Sequence, residues 1–375
     1  MLRPSLILAA LAADAAPGIT FRNYLRSDTN PDIDQLQLWD EDGASYQLLI
    51  PATAAGESEL ATELQALRVI LPLKDQLELE IPKLVGQTRD SDGTTAVLLT
   101  LLGGESPDLA KFAPGDFSKS LGEAIAKLHN LDPAILRDSG LVEHDAETIL
   151  RQKVAEIDAI AQSGRVPAAL LSRWEAATEE VGLFRFHGTV VHGNLTQETI
   201  RVSGQKVTGL AGWSSLRIGD PADDLRWLTG GALRTTLEDA MLNYRANRYQ
   251  ADENIGQRAQ LYSELELGSW LLHCLESEDE KEIAIAENMI SELRDQLESG
   301  NLRNLRAASF AGIAYQAPVA EATVVQPSAT ETPEQESDEV SAEHEDESAS
   351  EGASAENSKP EDTGAEATKT EDELF

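Results

Sequence analysis

The chain has 375 residues, a formal net charge of −36 and one cysteine, Cys274. A lone cysteine excludes an internal disulfide and a thiolate metal cluster, and it fits a reducing, cytoplasmic setting. The surplus of acid argues against a nucleic-acid or anionic-membrane partner.

In chain order, the opening MLRPSLILAALAADAAPG has the outline of a secretion signal. Its charged start is weak and its apolar run over 6–13 is short, so the expectation is a buried helix ended by Pro17-Gly18. No later apolar run approaches the roughly 20 residues needed to cross a bilayer. Residues 20–102 read as mostly strands with one helix. Leu36-Gln37-Leu38-Trp39 alternates, Asp40-Glu41-Asp42-Gly43 turns the chain, and 46–50 returns as a strand stopped by Pro51. Over 57–71, Leu60, Leu64, Leu67 and Leu71 repeat with the period of a helix. The stretches 82–85 and 95–102 complete this part, and Gly103-Gly104 breaks the chain.

Beyond the break, helices are expected over 117–131, 146–162, 167–183, 235–249, 255–275 and 280–297. Leu121, Ile125 and Leu128 mark the buried face of the first, and Pro167 suits a first helical turn. Short strands are expected at 189–191 and in a hairpin of 200–202 with 207–210. From Gln316 onward there are 18 Asp and Glu, 2 Lys and one aromatic residue, Phe375. Such a segment has too little apolar surface to offset its chain entropy, so disorder is expected there. The reading is an α+β protein: a β-rich lobe over 1–102, a mainly helical lobe over 103–315 and an acidic tail over 316–375. A cleft between two lobes is a natural ligand site.

Three blocks carry a resemblance. His192-Gly193-Asn194-Leu195 is followed by Val207-Thr208-Gly209-Leu210-Ala211-Gly212-Trp213 and then by Arg217-Ile218-Gly219-Asp220-Pro221-Ala222-Asp223-Asp224-Leu225. In order and approximate spacing they resemble the HGDxxxxN, (I/V)DW and RIGDPAxDL motifs of the aminoglycoside/macrolide phosphotransferase family. That family consists of small-molecule relatives of the protein kinases. The resemblance covers the chain up to the acidic tail and implies a bilobal, protein-kinase-like fold with ATP and Mg²⁺ as cofactors.

The same resemblance locates what is missing. Asn194 stands where the family has the Asp that accepts the attacking hydroxyl's proton, and an amide cannot take a proton at neutral pH. Thr199 replaces the metal-binding Asn, and Gly212 replaces the metal-binding Asp. Leu49 falls at the position of the phosphate-gripping cation, which leaves Glu63, the acid that pairs with that cation, facing solvent or another partner. The phosphate-covering loop is expected near Ser27-Asp28-Thr29-Asn30, where Asp28 would repel phosphate. Phosphoryl transfer rests on positioning and electrostatics, so these losses remove most of what such a protein contributes.

What remains is structural in kind. His192 should orient backbone, Trp213 should pack in the core, Asp220 should bond the loop backbone and Asp224 should cap a helix start. Arg245, Arg248 and Tyr249 read as a solvated helix face. Tyr262, Leu265, Trp270 and Leu271 read as a core stripe, and Cys274 as buried and inert. The expectation is a pseudokinase that binds an unknown small molecule or protein, with no cofactor and no metal. Two alternatives stay open. One is an active phosphotransferase using Glu198, Asp220 or Asp223 with ATP and Mg²⁺. The other is a scaffold whose acidic tail recruits a basic partner.

Overall fold

The computed structural model describes residues 3–27, 30–250 and 252–307. Asp28, Thr29 and the acidic segment from Gln316 lie outside the described residues. The fold is α+β, with a β-sheet lobe followed by a helical lobe.

The first lobe opens with α1 (Ser5–Ala15), then β1 (Phe21–Ser27), β2 (Ile33–Asp40) and β3 (Ser45–Pro51). Next come α2 (Ala54–Ile70), the short α3 (Lys74–Leu77), β4 (Leu84–Arg89) and β5 (Thr95–Thr100). The five strands form one antiparallel sheet in the order β1-β2-β3-β5-β4. Strand side chains alternate between faces, and here the alternation separates two cores. Leu48, Ile50, Ala96 and Leu98 face the opening helix, where Leu8, Leu11, Ala12 and Ala15 cover them. Leu49, Val97 and Leu99 face the other way and join the core that continues into the second lobe.

The helix expected over the first residues is therefore present and packed on the sheet. Arg3 anchors its start by donating to Asp34 and Asp90 and to the Pro51 carbonyl. Its end lies so close to β4 that a Cβ on Gly86 would sit 1.9 Å from the Ala15 carbonyl oxygen. Helix α2 is capped by Thr53, whose hydroxyl accepts from the Gly56 N–H. It buries Leu60, Glu63, Ala66, Leu67 and Ile70.

The second lobe contains α4 (Asp116–His129), α5 (Ala134–Asp138), α6 (Ala146–Gln162), α7 (Ala168–Glu179) and β6 (Thr189–Val191). It continues with β7 (Ile200–Ser203), β8 (Lys206–Leu210), β9 (Arg217–Gly219) and α8 (Arg226–Gly231). It closes with α9 (Arg234–Asn247), α10 (Ile255–Ser277) and α11 (Glu280–Glu298). β6 pairs antiparallel with β9, a strand the sequence pattern did not announce, and β7 with β8 forms the expected hairpin. The lobes are joined by backbone as well as by packing. The Glu80 N–H donates to the Thr208 carbonyl and the Leu210 N–H to the Glu80 carbonyl, while Glu105 and Val202 exchange two hydrogen bonds. These bonds fix the β7–β8 hairpin beneath the sheet, so the loops on either side of it face the cleft.

Candidate functional site

The loop after β6 is held by one buried carboxylate. Asp224 accepts from the backbone N–H groups of His192 and Gly193 at 2.8 and 2.7 Å, and from His129 Nε2 at 3.0 Å. His129 Nδ1 accepts in turn from the Tyr244 hydroxyl at 2.9 Å. Burial opposes ionisation of Asp224, but the hydrogen bond from His129 and the loop N–H groups outweigh it and hold its pKa below the usual value. Gly193 has φ +79°, and a Cβ there would lie 1.9 Å from the Arg217 guanidinium, so the turn requires glycine.

His192 is fully buried, with its ring 4.5 Å from that of Trp213. Its Nε2 donates to the Ala211 carbonyl at 3.0 Å, and its Nδ1 meets no partner among the described residues. Burial drives its pKa down to about 4, so the ring is neutral at physiological pH and serves as a strut. Trp213 is completely buried and donates to the Leu210 carbonyl.

Thr199 and Gly212 meet across the loop. The Thr199 hydroxyl accepts from the Thr196 N–H and donates back to the Thr196 carbonyl, so it is absorbed in its own turn. The Ala211 N–H donates to the Thr199 carbonyl at 2.8 Å. Gly212 is left-handed, with φ +74°, and a Cβ added there would stand 3.0 Å from the Thr199 methyl. A carboxylate at 212 is thus opposed both by backbone conformation and by its neighbour.

Leu49 is buried in β3, and Glu63 in α2 is 8% exposed. The sequence left Glu63 a choice between solvent and another partner; it turns inward. It lines an interlobe cavity of about 160 Å³ whose other walls include Ile33, Leu49, Leu99, Asn194 and Gly212. Burial raises its pKa to about 7, against the backbone N–H groups of Ser214 and Trp213, which favour the charged form. The acid that a cation would pair with therefore points at the start of the turn Trp213–Ser215.

Asp220 and Asp224 exchange the roles expected of them. Asp224, not Asp220, bonds the loop backbone. Asp220 caps the short turn Pro221–Leu225 through the Ala222 N–H and takes a two-pronged bond from buried Arg258, at 2.6 and 2.9 Å, with the Tyr262 hydroxyl at 2.7 Å. The reason is reach: Asp224 lies below the loop, whereas Asp220 faces α10. Asp223 pairs with Arg217 and Arg226, and Glu198 is exposed outside the cavity lining. Sequence reasoning missed His129 and Arg258 as supports of the site. Both lie on apolar helical stripes, His129 four residues after Ile125 and Arg258 three after Ile255, and a polar residue on a buried stripe was the available signal.

The donor set at the motif positions does not fit Mg²⁺. Mg²⁺ favours carboxylate and phosphate oxygens in near-ideal octahedral geometry, and positions 194, 199 and 212 supply no carboxylate. Among the described residues no group of three His, Cys, Asp or Glu is placed to hold a metal ion. Among the described residues the cavity lining contains Glu59 and Glu63 and neither Lys nor Arg. Its volume is below the roughly 300 Å³ at which pockets for drug-sized ligands begin.

A model of the phosphotransferase enzyme family, APH, matches residues 15–262. The chain is 24% identical over 110 residues to YcbJ of Bacillus subtilis (strain 168), a match spanning 29% of this chain and 36% of that protein. Among solved structures, the macrolide 2'-phosphotransferase MphH from Brachybacterium faecium aligns with a TM-score of 0.62 at 19% identity, covering 76% of this chain and 97% of that one. A GDP and kanamycin complex of an APH(2") enzyme aligns with a TM-score of 0.64 at 16% identity, covering 79% and 100%.

Proposed function

The chain belongs to the APH phosphotransferase enzyme family, and from that premise we propose that this member is a pseudokinase, a binding or regulatory module that does not transfer phosphate by the usual route. One observation carries the reading. Gly212, left-handed against the Thr199 methyl, and Asn194 line the same cavity, so neither motif position for base and metal brings a carboxylate to it.

The energetics support it. Loss of general-base help alone costs about 10²–10⁴-fold in rate, and loss of the electrostatic clamps adds about 3–4 kcal/mol for each donor removed. Leu49 cannot grip a phosphate. Asp220 and Asp223 are already neutralised by arginines. Asp224, which supports the loop, is by contrast bonded to both loop N–H groups and to His129, which suits a protein that presents a fixed surface or pocket.

The test is transfer from γ-labelled ATP to a panel of hydroxyl-bearing small molecules, with calorimetry of ATP binding with and without Mg²⁺. The expected result is no transfer above background. Mg²⁺-dependent turnover that disappears in Glu198→Gln or Asp220→Asn would refute the reading.

A further inference from the structure

The interlobe cavity is small, and its walls are of three kinds. Ile33, Leu49, Leu60 and Leu99 make one side apolar. Gln35, Gln47 and Asn194 bring amides to it, with Gln47 Nε2 donating to Gln35 Oε1 at 3.0 Å. The Asn194 side chain has no hydrogen-bond partner among the described residues. Glu63 supplies a carboxylate that is more than nine-tenths buried. That carboxylate has about four lone-pair sites, and the groups that favour its charged form are the N–H dipoles of Ser214 and Trp213, with no cation among them.

A buried carboxylate beside apolar walls, with no cation in the lining, is a half-made ion pair. A proton completes it at low pH; a ligand that binds the charged form must be positive and small. A divalent metal is disfavoured, since among the described residues no three His, Cys, Asp or Glu are placed to hold one. A nucleotide would bring phosphates against Glu59 and Glu63. An alkylammonium supplies three N–H donors to carboxylate and amide oxygens and an apolar body to the leucines. About 160 Å³ is the liquid volume of about five waters, which sets the size at a handful of heavy atoms.

Resting on the pseudokinase reading, we propose that this cavity binds a compact organic ammonium ion, paired by Glu63 and ringed by the amides of Gln35, Gln47 and Asn194.

Butylammonium is a suitable probe, with 1-butanol as its neutral counterpart. Side-chain amide resonances of Gln35, Gln47 and Asn194 in the full-length protein report occupancy by NMR. Butylammonium should shift them saturably, and 1-butanol should bind at least about tenfold more weakly, as expected for a hydrogen bond to a charged group. Glu63→Gln, nearly the same shape, should lose about tenfold, and Asn194→Asp, at an exposed position, should tighten binding several-fold. Equal response to the alcohol, or affinity unchanged in both variants, overturns the proposal. Mg·ATP titrated in parallel separates the two readings. If it moves the same amides and is turned over, the pseudokinase reading fails with the inference. If neither probe moves them, the ammonium site alone is refuted.

Discussion

Replacing Glu63 by Gln should change how stability depends on pH, and the direction follows from burial. Glu63 titrates near 4.5 in an open chain and at about 7 in the fold. The folded state therefore holds a proton that the unfolded state has released, and stability falls as pH rises through this window. A separation of roughly 2.5 units corresponds to about 3 kcal/mol. Glutamine does not titrate. The stability of Glu63→Gln minus that of the native protein should thus increase by up to about 3 kcal/mol between about pH 4.5 and pH 8. Taking this difference matters because His192 pulls the other way. Its folded pKa of about 4 lies below the ordinary 6.5, so its contribution is lost as pH falls through that range. In the native protein the two trends oppose each other; in the difference His192 drops out. Urea denaturation of both proteins at about pH 5 and pH 8, with matched m-values, measures the effect. A difference that does not change with pH would show that Glu63 is not buried as an acid beside the loop.

Asp224→Asn should destabilise the protein by about 3–5 kcal/mol, because it strands His129 and an N–H group of the 192–193 loop in a buried site; chemical denaturation checks this. Arg258→Met should be comparably damaging, since it leaves Asp220 buried without its cation, whereas Arg258→Met combined with Asp220→Leu should recover a large part of the loss in the same assay. Gly212→Asp by itself should lower stability by about 1–3 kcal/mol and yield no transfer from labelled ATP. Gly193→Ala should also lower the melting temperature, because its Cβ would strike the Arg217 guanidinium and the Ser215 carbonyl.

Periodicity carried much of the fold. The six long helices of the second lobe were legible because each shows an apolar stripe, and the 146–162 boundaries agree with α6 because Asp145 caps its first turn. β9 was not legible: three residues give no alternation to read, and its existence depends on pairing with β6. The candidate site was legible in its motif positions but not in its bonding. That Asp224 rather than Asp220 holds the loop is a fact of tertiary direction, since both lie in the same short block four residues apart. The inward turn of Glu63 was likewise hidden, because its partners Trp213 and Ser214 are distant in sequence. Gln35 and Gln47 drew no attention because an amide on a strand is ordinary until two strands bring it to a cavity.

The meeting of Thr199 and Gly212 also has a historical side. A lineage that acquired both residues would not regain the family's acid by one codon change, since the reverted side chain would enter a left-handed backbone already crowded by a methyl. Restoring the acid without that cost would need Thr199 to change as well. Each single step back toward the old chemistry would therefore carry a stability cost of its own.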